Sequence, residues 1–236
     1  MKKVLLVFAI FLGMMQFFYG SWQTDFADGC ELYKKLDFEK ALEKFKALEN
    51  DYPTMPVFYN TANTYFRLGK IGWAIVYYER TRKISPFDED VNFNIKFIAD
   101  IIKDTDYEKQ FISKIKLSFV KLLFSFCFFI FAVAISIKIV KPRKNIFWFL
   151  AISSLVFILS LGLFIYRYQN EKETEAIVIT NNAEVRSGPD ESFKINLTFP
   201  EGKKILILGK TDNWLEIGVR ILGIKGWIEK KYVEVI

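Results

Sequence analysis

The chain has 236 residues, 52% of them hydrophobic, a formal charge of +6 and no histidine. Without histidine it lacks the commonest general base, the commonest metal ligand and the usual partner of a Ser or Cys nucleophile. Residues 22–109 carry 13 Lys/Arg against 16 Asp/Glu and residues 172–236 carry 10 of each, while the remaining 10 Lys/Arg face a single Glu; a basic excess placed on and beside apolar runs orients a membrane protein and argues against nucleic-acid binding.

Lys2 and Lys3, the apolar stretch Val4–Tyr19 and the small pair Gly20-Ser21 have the form of a secretory signal over residues 1–20. Phe18 stands where a small residue is preferred, so retention as an anchor is the alternative; either way the following segment is exported. Cys30 follows Ala27-Asp28-Gly29 too far from the apolar run for a lipoprotein signal, and with Cys127 it makes no metal-ligand spacing.

Over residues 22–103, apolar side chains recur at three- and four-residue spacing with stops at Pro53 and Pro86, which predicts helices. Shifting the segment by 33 residues brings Ala41 onto Ala74, Phe45 onto Tyr78, Pro53 onto Pro86, Gly29 onto Ala62 and Leu32 onto Tyr65. A further helix carries Val91, Ile95, Ile98 and Ile102 on one stripe and is expected to cap the stack. Asp88-Glu89-Asp90 opens that helix, where carboxylates favour the dipole over acid–base work.

Two longer runs follow. Leu117–Val140 is long enough to cross about 30 Å of hydrocarbon, and Ile146–Tyr166 has no charge. Between them lies a loop over 141–145; Lys138, Lys141, Arg143 and Lys144 surround Pro142 with no acid nearby, which predicts a turn on the cytoplasmic side. Lys114, Lys116 and Lys121 oppose this on the other flank, and the export signal decides the orientation: both soluble segments are expected on the periplasmic or exterior face of a bacterial inner membrane.

After a charged linker at Glu171–Glu175, short β-rich runs at Ala176–Thr180, Lys204–Lys210, Trp214–Val219 and Lys225–Glu229 alternate with turn residues, which predicts a small barrel or sandwich over 172–236.

The helical segment resembles the tetratricopeptide repeat on Phe58, Ala62, Tyr65, Gly69, Ala74, Tyr78 and Pro86. The resemblance implies an all-α domain over 21–113, two repeats plus the capping helix, whose first helices line a groove that holds peptides or partner proteins. Cys30, Tyr33 and Lys34 from the first copy and Tyr59, Asn63, Phe66 and Arg67 from the second would face that groove. In the C-terminal segment, Ala183-Glu-Val-Arg186-Ser-Gly-Pro189 followed by Gly202, Asn213-Trp214, Gly226-Trp227 and Tyr232 resembles the bacterial SH3-like domain. This implies a small all-β barrel, a first turn shaped by Arg186, Trp214 and Trp227 in or near the core, and Phe193 and Arg220 as candidate contacts to peptides or peptidoglycan.

The order of signal, repeats, two spans and SH3-like domain is similar to that of the BatE-like accessory proteins of the bacterial aerotolerance (Bat) operon. The resulting expectation is a multidomain membrane protein acting as a non-enzymatic adaptor without cofactor. The resemblance implies partners among von Willebrand A-type membrane proteins and the MoxR system, within a stress-tolerance function. A peptidoglycan-binding or wall-sensing protein is the alternative.

Overall fold

The computed structural model describes residues 22–104, 107, 115–140, 144–219 and 223–236; the expected signal, residues 141–143 of the basic loop and the candidate contact Arg220 lie outside them. The chain divides into two compact units, one joining residues up to Tyr107 with Glu175–Ile236, the other formed by Glu108–Thr174.

The first unit begins with five helices: α1 (residues 22–34), α2 (Phe38–Glu49), α3 (Met55–Arg67), α4 (Ile71–Ile84) and α5 (Glu89–Ile102). Local chemistry sets their ends. The Asp37 side chain accepts from Lys40 N–H at the start of α2, and Asp88 accepts from Val91 N–H at 3.0 Å at the start of α5, each satisfying a donor that the first turn leaves open. Gly69, at φ +72°, turns the chain out of α3. Ala62 and Ala74 are completely buried, and a Cβ on Gly29 would meet the Phe45 ring at 2.7 Å.

The helix α4 has hardly any solvent face. Buried residues occur all round it, among them Ala74, Ile75, Tyr77, Glu79 and Arg82. A helix buried this way needs neighbours on every side, and the C-terminal segment supplies one of them.

That segment forms seven strands: β1 (Thr174–Val178), β2 (Ala183–Arg186), β3 (Ile195–Phe199), β4 (Lys204–Lys210), β5 (Trp214–Val219), β6 (Ile224–Glu229) and β7 (Val233–Val235). They make one sheet in the order β3-β2-β6-β5-β4-β1-β7, with antiparallel pairing and register shifts in β2–β3 and β4–β5. The expected strands Lys204–Lys210 and Trp214–Val219 are present with those limits, and the other two expected strands are displaced by one or two residues. The expected barrel is not what the pairing describes: β3 and β7 end an open sheet. Its β1–β7 end carries Ile177, Ile179 and Ile236 into the apolar cluster of the helices and buries its surface there. The sheet's own core is aliphatic, built from residues such as Val185, Ile205, Ile217 and Ile228. Trp214 is buried and Trp227 half-buried, and neither belongs to that cluster.

The two segments expected as separate domains therefore share one unit. At their junction Glu79 binds Arg82, with Nε to Oε2 at 3.0 Å, and Lys204 at 3.4 Å; Lys204 also reaches Glu175 at 2.9 Å, and Lys203 reaches Asp104 at 2.7 Å. Tyr107 donates to the Gly202 carbonyl, the Glu201 side chain accepts from Gly72 N–H at 2.8 Å in the first turn of α4, and Arg80 pairs with Glu234 at 2.5 Å.

Burial raises the hydroxyl pKa values of Tyr65, Tyr77, Tyr78 and Tyr107, and Glu49, which accepts from Tyr77, adds to the shift there. A folded-state pKa above the unfolded one contributes stability that is complete below about pH 10 and is lost as the pH rises through the folded-state value. Alkaline titration should therefore show tyrosinate absorbance rising together with loss of helical circular dichroism. Ionisation of all tyrosines near pH 10 with the helices intact would contradict it.

The second unit holds α6 (Leu117–Val140) and α7 (Lys144–Glu171), two helices long and apolar enough to cross a membrane. They pack through aromatic rings: Phe131 lies 5.1 Å from Phe157 and Phe124 lies 5.2 Å from Phe164, centroid to centroid. Outward-facing Phe119, Leu122, Phe126, Phe129, Trp148 and Leu159 are exposed, the surface a bilayer would cover. The hydroxyls of Ser125, Ser136, Ser153 and Ser160 donate to carbonyls of their own helices, so none requires water. The second helix runs beyond the expected end at Tyr166, because nothing before Glu171 breaks it; Arg167 donates to the Ile115 carbonyl at 3.0 Å.

Candidate partner-binding face

The expected groove residues fall on α1 and α3, and aromatic packing brings most of them together. Tyr33 makes an edge contact with Phe38 at 5.2 Å, and the Arg67 guanidinium lies 5.4 Å from the same ring. Burial raises the Tyr33 pKa, and the Arg67 charge partly offsets it. Tyr59 packs edge-on against Tyr78 at 6.0 Å and accepts from the Asn94 amide at 3.2 Å, while Asn63 accepts from the Tyr78 hydroxyl at 2.5 Å. Lys34 and Arg67 are exposed, and Tyr33, Tyr59, Asn63 and Phe66 are half-buried. Asn63 and Tyr59 thus serve packing between α3 and its neighbours as well as the face.

Cys30 is half-buried in α1. Burial pushes its thiol pKa up, with Lys34 as the smaller opposing influence, which is the reverse of what an activated thiolate needs.

The face continues onto α5, which the spacing argument treats only as a cap. Shifted by 34 residues, four of the five buried positions of α3 (Val57, Thr61, Thr64 and Tyr65) fall on the buried positions Val91, Ile95, Ile98 and Ala99 of α5. The same shift carries Tyr59, Asn63 and Arg67 onto Phe93, Phe97 and Ile101, which are exposed at 67, 47 and 54%. Phe97 meets Phe66 edge-on at 6.1 Å and stacks on Phe93 at 6.3 Å, so α5 is the next first helix along the face. The sequence signal was present: α5 bears a second apolar row at four-residue spacing, outside the stripe that fills the core.

The sheet offers a second concavity, a cleft of about 770 Å³ lined by Asp190, Glu191, Ser192, Asn213, Trp214, Glu229, Lys230 and Lys231. Phe193 lies beside it, 45% exposed, with its ring over Gly188, where a Cβ would come within 2.7 Å. Arg186 shapes this turn as expected, donating to the carbonyls of Glu191 at 2.7 Å and Phe193 at 2.9 Å.

Comparison with known proteins finds no matching family model and no matching curated protein.

Proposed function

We propose that the chain is a non-enzymatic, membrane-anchored adaptor of the bacterial envelope that binds partner proteins on a tetratricopeptide-type face over α1, α3 and α5. The observation that carries this reading is the joining of residues from before and after the hairpin in one compact unit. If α6 and α7 cross the bilayer, both soluble segments lie on one side of it, and the leader-like start and basic loop favour the periplasmic or exterior side. The SH3-like sheet supports the helical stack as well as offering its own cleft. Tethering beside the membrane raises the effective concentration of this face for partners in the same bilayer. The order of parts favours a BatE-like role in a Bat-type stress-tolerance system, with von Willebrand A-type membrane proteins and the MoxR system as partners.

Capture of the full chain from detergent-solubilised membranes should enrich a von Willebrand A-type membrane protein, and charge reversal at Arg67 should reduce that recovery. Recovery of lipid and unrelated proteins alone would contradict the reading. The cleft at Asp190, Trp214 and Lys230 favours one further reading, docking of wall peptides. Co-sedimentation of the full chain with purified wall sacculi, lost on Lys230→Glu substitution, is the outcome it requires.

A further inference from the structure

We infer that one flank of the α6–α7 hairpin binds an anionic phospholipid, with the headgroup phosphate held by the ammonium groups of Lys121 and Lys172 beside Tyr168. This rests on the reading of α6 and α7 as membrane-spanning and names a lipid that they select.

Helix geometry brings the two lysines together. Phe124 stacks on Phe164 at 5.2 Å and Phe131 on Phe157 at 5.1 Å, so α6 and α7 run antiparallel in a register that sets Lys121 level with Arg167. Lys172 follows Arg167 by about 7.5 Å along the helix axis, within the reach of an extended lysine side chain. The two also share a flank. Phe128 lies about two turns from Lys121, and Tyr168 about three turns from Phe157, so each pair points the same way. Phe128 meets Phe157 at 5.8 Å, and the Lys172 ammonium lies 4.4 Å over the Tyr168 ring. These contacts put Lys121 and Lys172 on the same side of the hairpin.

Their charge is available there. Both lysines are exposed and, among the described residues, neither has a carboxylate within ion-pair distance. The adjoining Glu171 is engaged by Arg167 at 3.3 Å, and Arg167 itself is held by the Ile115 carbonyl at 3.0 Å. Lys121 stands a turn inside the apolar stretch, beside the exposed Phe119 and Leu122, where an ammonium without a counter-ion is costly. A phosphate at headgroup depth supplies that counter-ion, with the lysines acting on it as point charges and the apolar flank receiving the acyl chains. A zwitterionic headgroup carries its own cation and gains less. Lys116 is also exposed at this end of α6, but it is turned about 140° round the helix from Lys121 and faces away from this flank.

The test uses the full chain in mild detergent, titrated with phosphatidylglycerol or phosphatidylcholine of identical acyl chains and read by native mass spectrometry. Phosphatidylglycerol should be retained about tenfold more tightly. Lys121→Gln combined with Lys172→Gln should bring the two lipids within about twofold of each other. Lys121→Arg combined with Lys172→Arg should keep the preference, and Lys116→Gln should leave it unchanged, with helical circular dichroism showing that each variant is folded. Inorganic phosphate in excess should not displace the lipid, because the acyl chains also hold it.

Equal retention of the two lipids by the unaltered chain would overturn the inference whatever the variants do. A loss of preference with Lys116→Gln as large as with the paired glutamine substitutions would assign the effect to a diffuse cationic belt and overturn the site. Displacement of the lipid by inorganic phosphate would assign the lysines to a free anion and overturn the lipid. The underlying reading fails separately: release of the chain from membranes by alkaline carbonate would show that the hairpin does not span them. A carbonate-resistant chain without lipid preference would sink the inference alone.

Discussion

Replacing Glu79 by alanine should lower the stability of the compact helix–sheet unit by about 3–5 kcal/mol, the range for breaking a buried ion pair from one side. The Glu79 side chain is 1% exposed, Arg82 7% and Lys204 5%, so these charges cannot recover hydration when their partner is removed. Glu79 is the group that binds both cations at once, one on its own helix and one on β4. Its loss leaves Arg82 with the Tyr107 carbonyl at 3.5 Å and Lys204 with Glu175. Such a loss is a large part of the total stability of an ordinary domain, about 5–15 kcal/mol. Thermal or denaturant unfolding of the full chain in mild detergent would measure it. Glu31→Ala is the control: its pair with Lys35 is more than 60% exposed on both sides, where solvent and salt screen the attraction, so its loss should leave the melting profile nearly unchanged. Equal melting of the two variants would show that the buried network does not hold helices and sheet together.

Gly72→Ala should destabilise the same unit by about 2 kcal/mol, within the range for overpacking. Inside a helix this exchange ordinarily stabilises by about 0.5–1 kcal/mol, so the expected sign is reversed. The cause is geometric. A Cβ at position 72 would lie 2.6 Å from the Val178 carbonyl oxygen and 2.8 Å from the Ile179 Cα, both main-chain atoms of the opposing segment. Neither can turn aside as a side chain could, so α4 and the end of β1 must separate. Separation also strains the hydrogen bond from Gly72 N–H to Glu201. Hydrogen exchange in β1 and the first turn of α4 should rise together with the fall in melting temperature. Gly162, on α7 with nothing within 4 Å of its added Cβ, supplies the comparison. A melting temperature for Gly72→Ala at or above that of the parent would show that the close approach does not govern the packing.

The helices of the candidate face were legible from periodicity, while the choice of Tyr33, Tyr59, Phe66 and Arg67 as its residues is what the tetratricopeptide resemblance implies; the structure sets Tyr33 and Arg67 around the Phe38 ring. The α5 part was not legible in the 33-residue register. Between α3 and α5 the spacing is 34, and the stripe Val91, Ile95, Ile98, Ile102 accounted for α5 as a cap without its second apolar row. A helix with one filled face satisfies the pattern whatever lies on the other face.

The sequence by itself determined the local elements. The turn residues and caps such as Asp37, Gly69 and Asp88 act within a few positions, and two long apolar stretches are self-evident at the scale of one helix. Tertiary structure alone decided that the helices and the sheet share one body and that the sheet stays open at β3. Ile177, Glu79 and Lys204 read locally as an ordinary strand residue and ordinary surface charges. Their burial arises from contacts between positions about a hundred residues apart, on either side of the hairpin. Hydrophobic periodicity reports which face of an element seeks cover and carries no information about which distant segment supplies it.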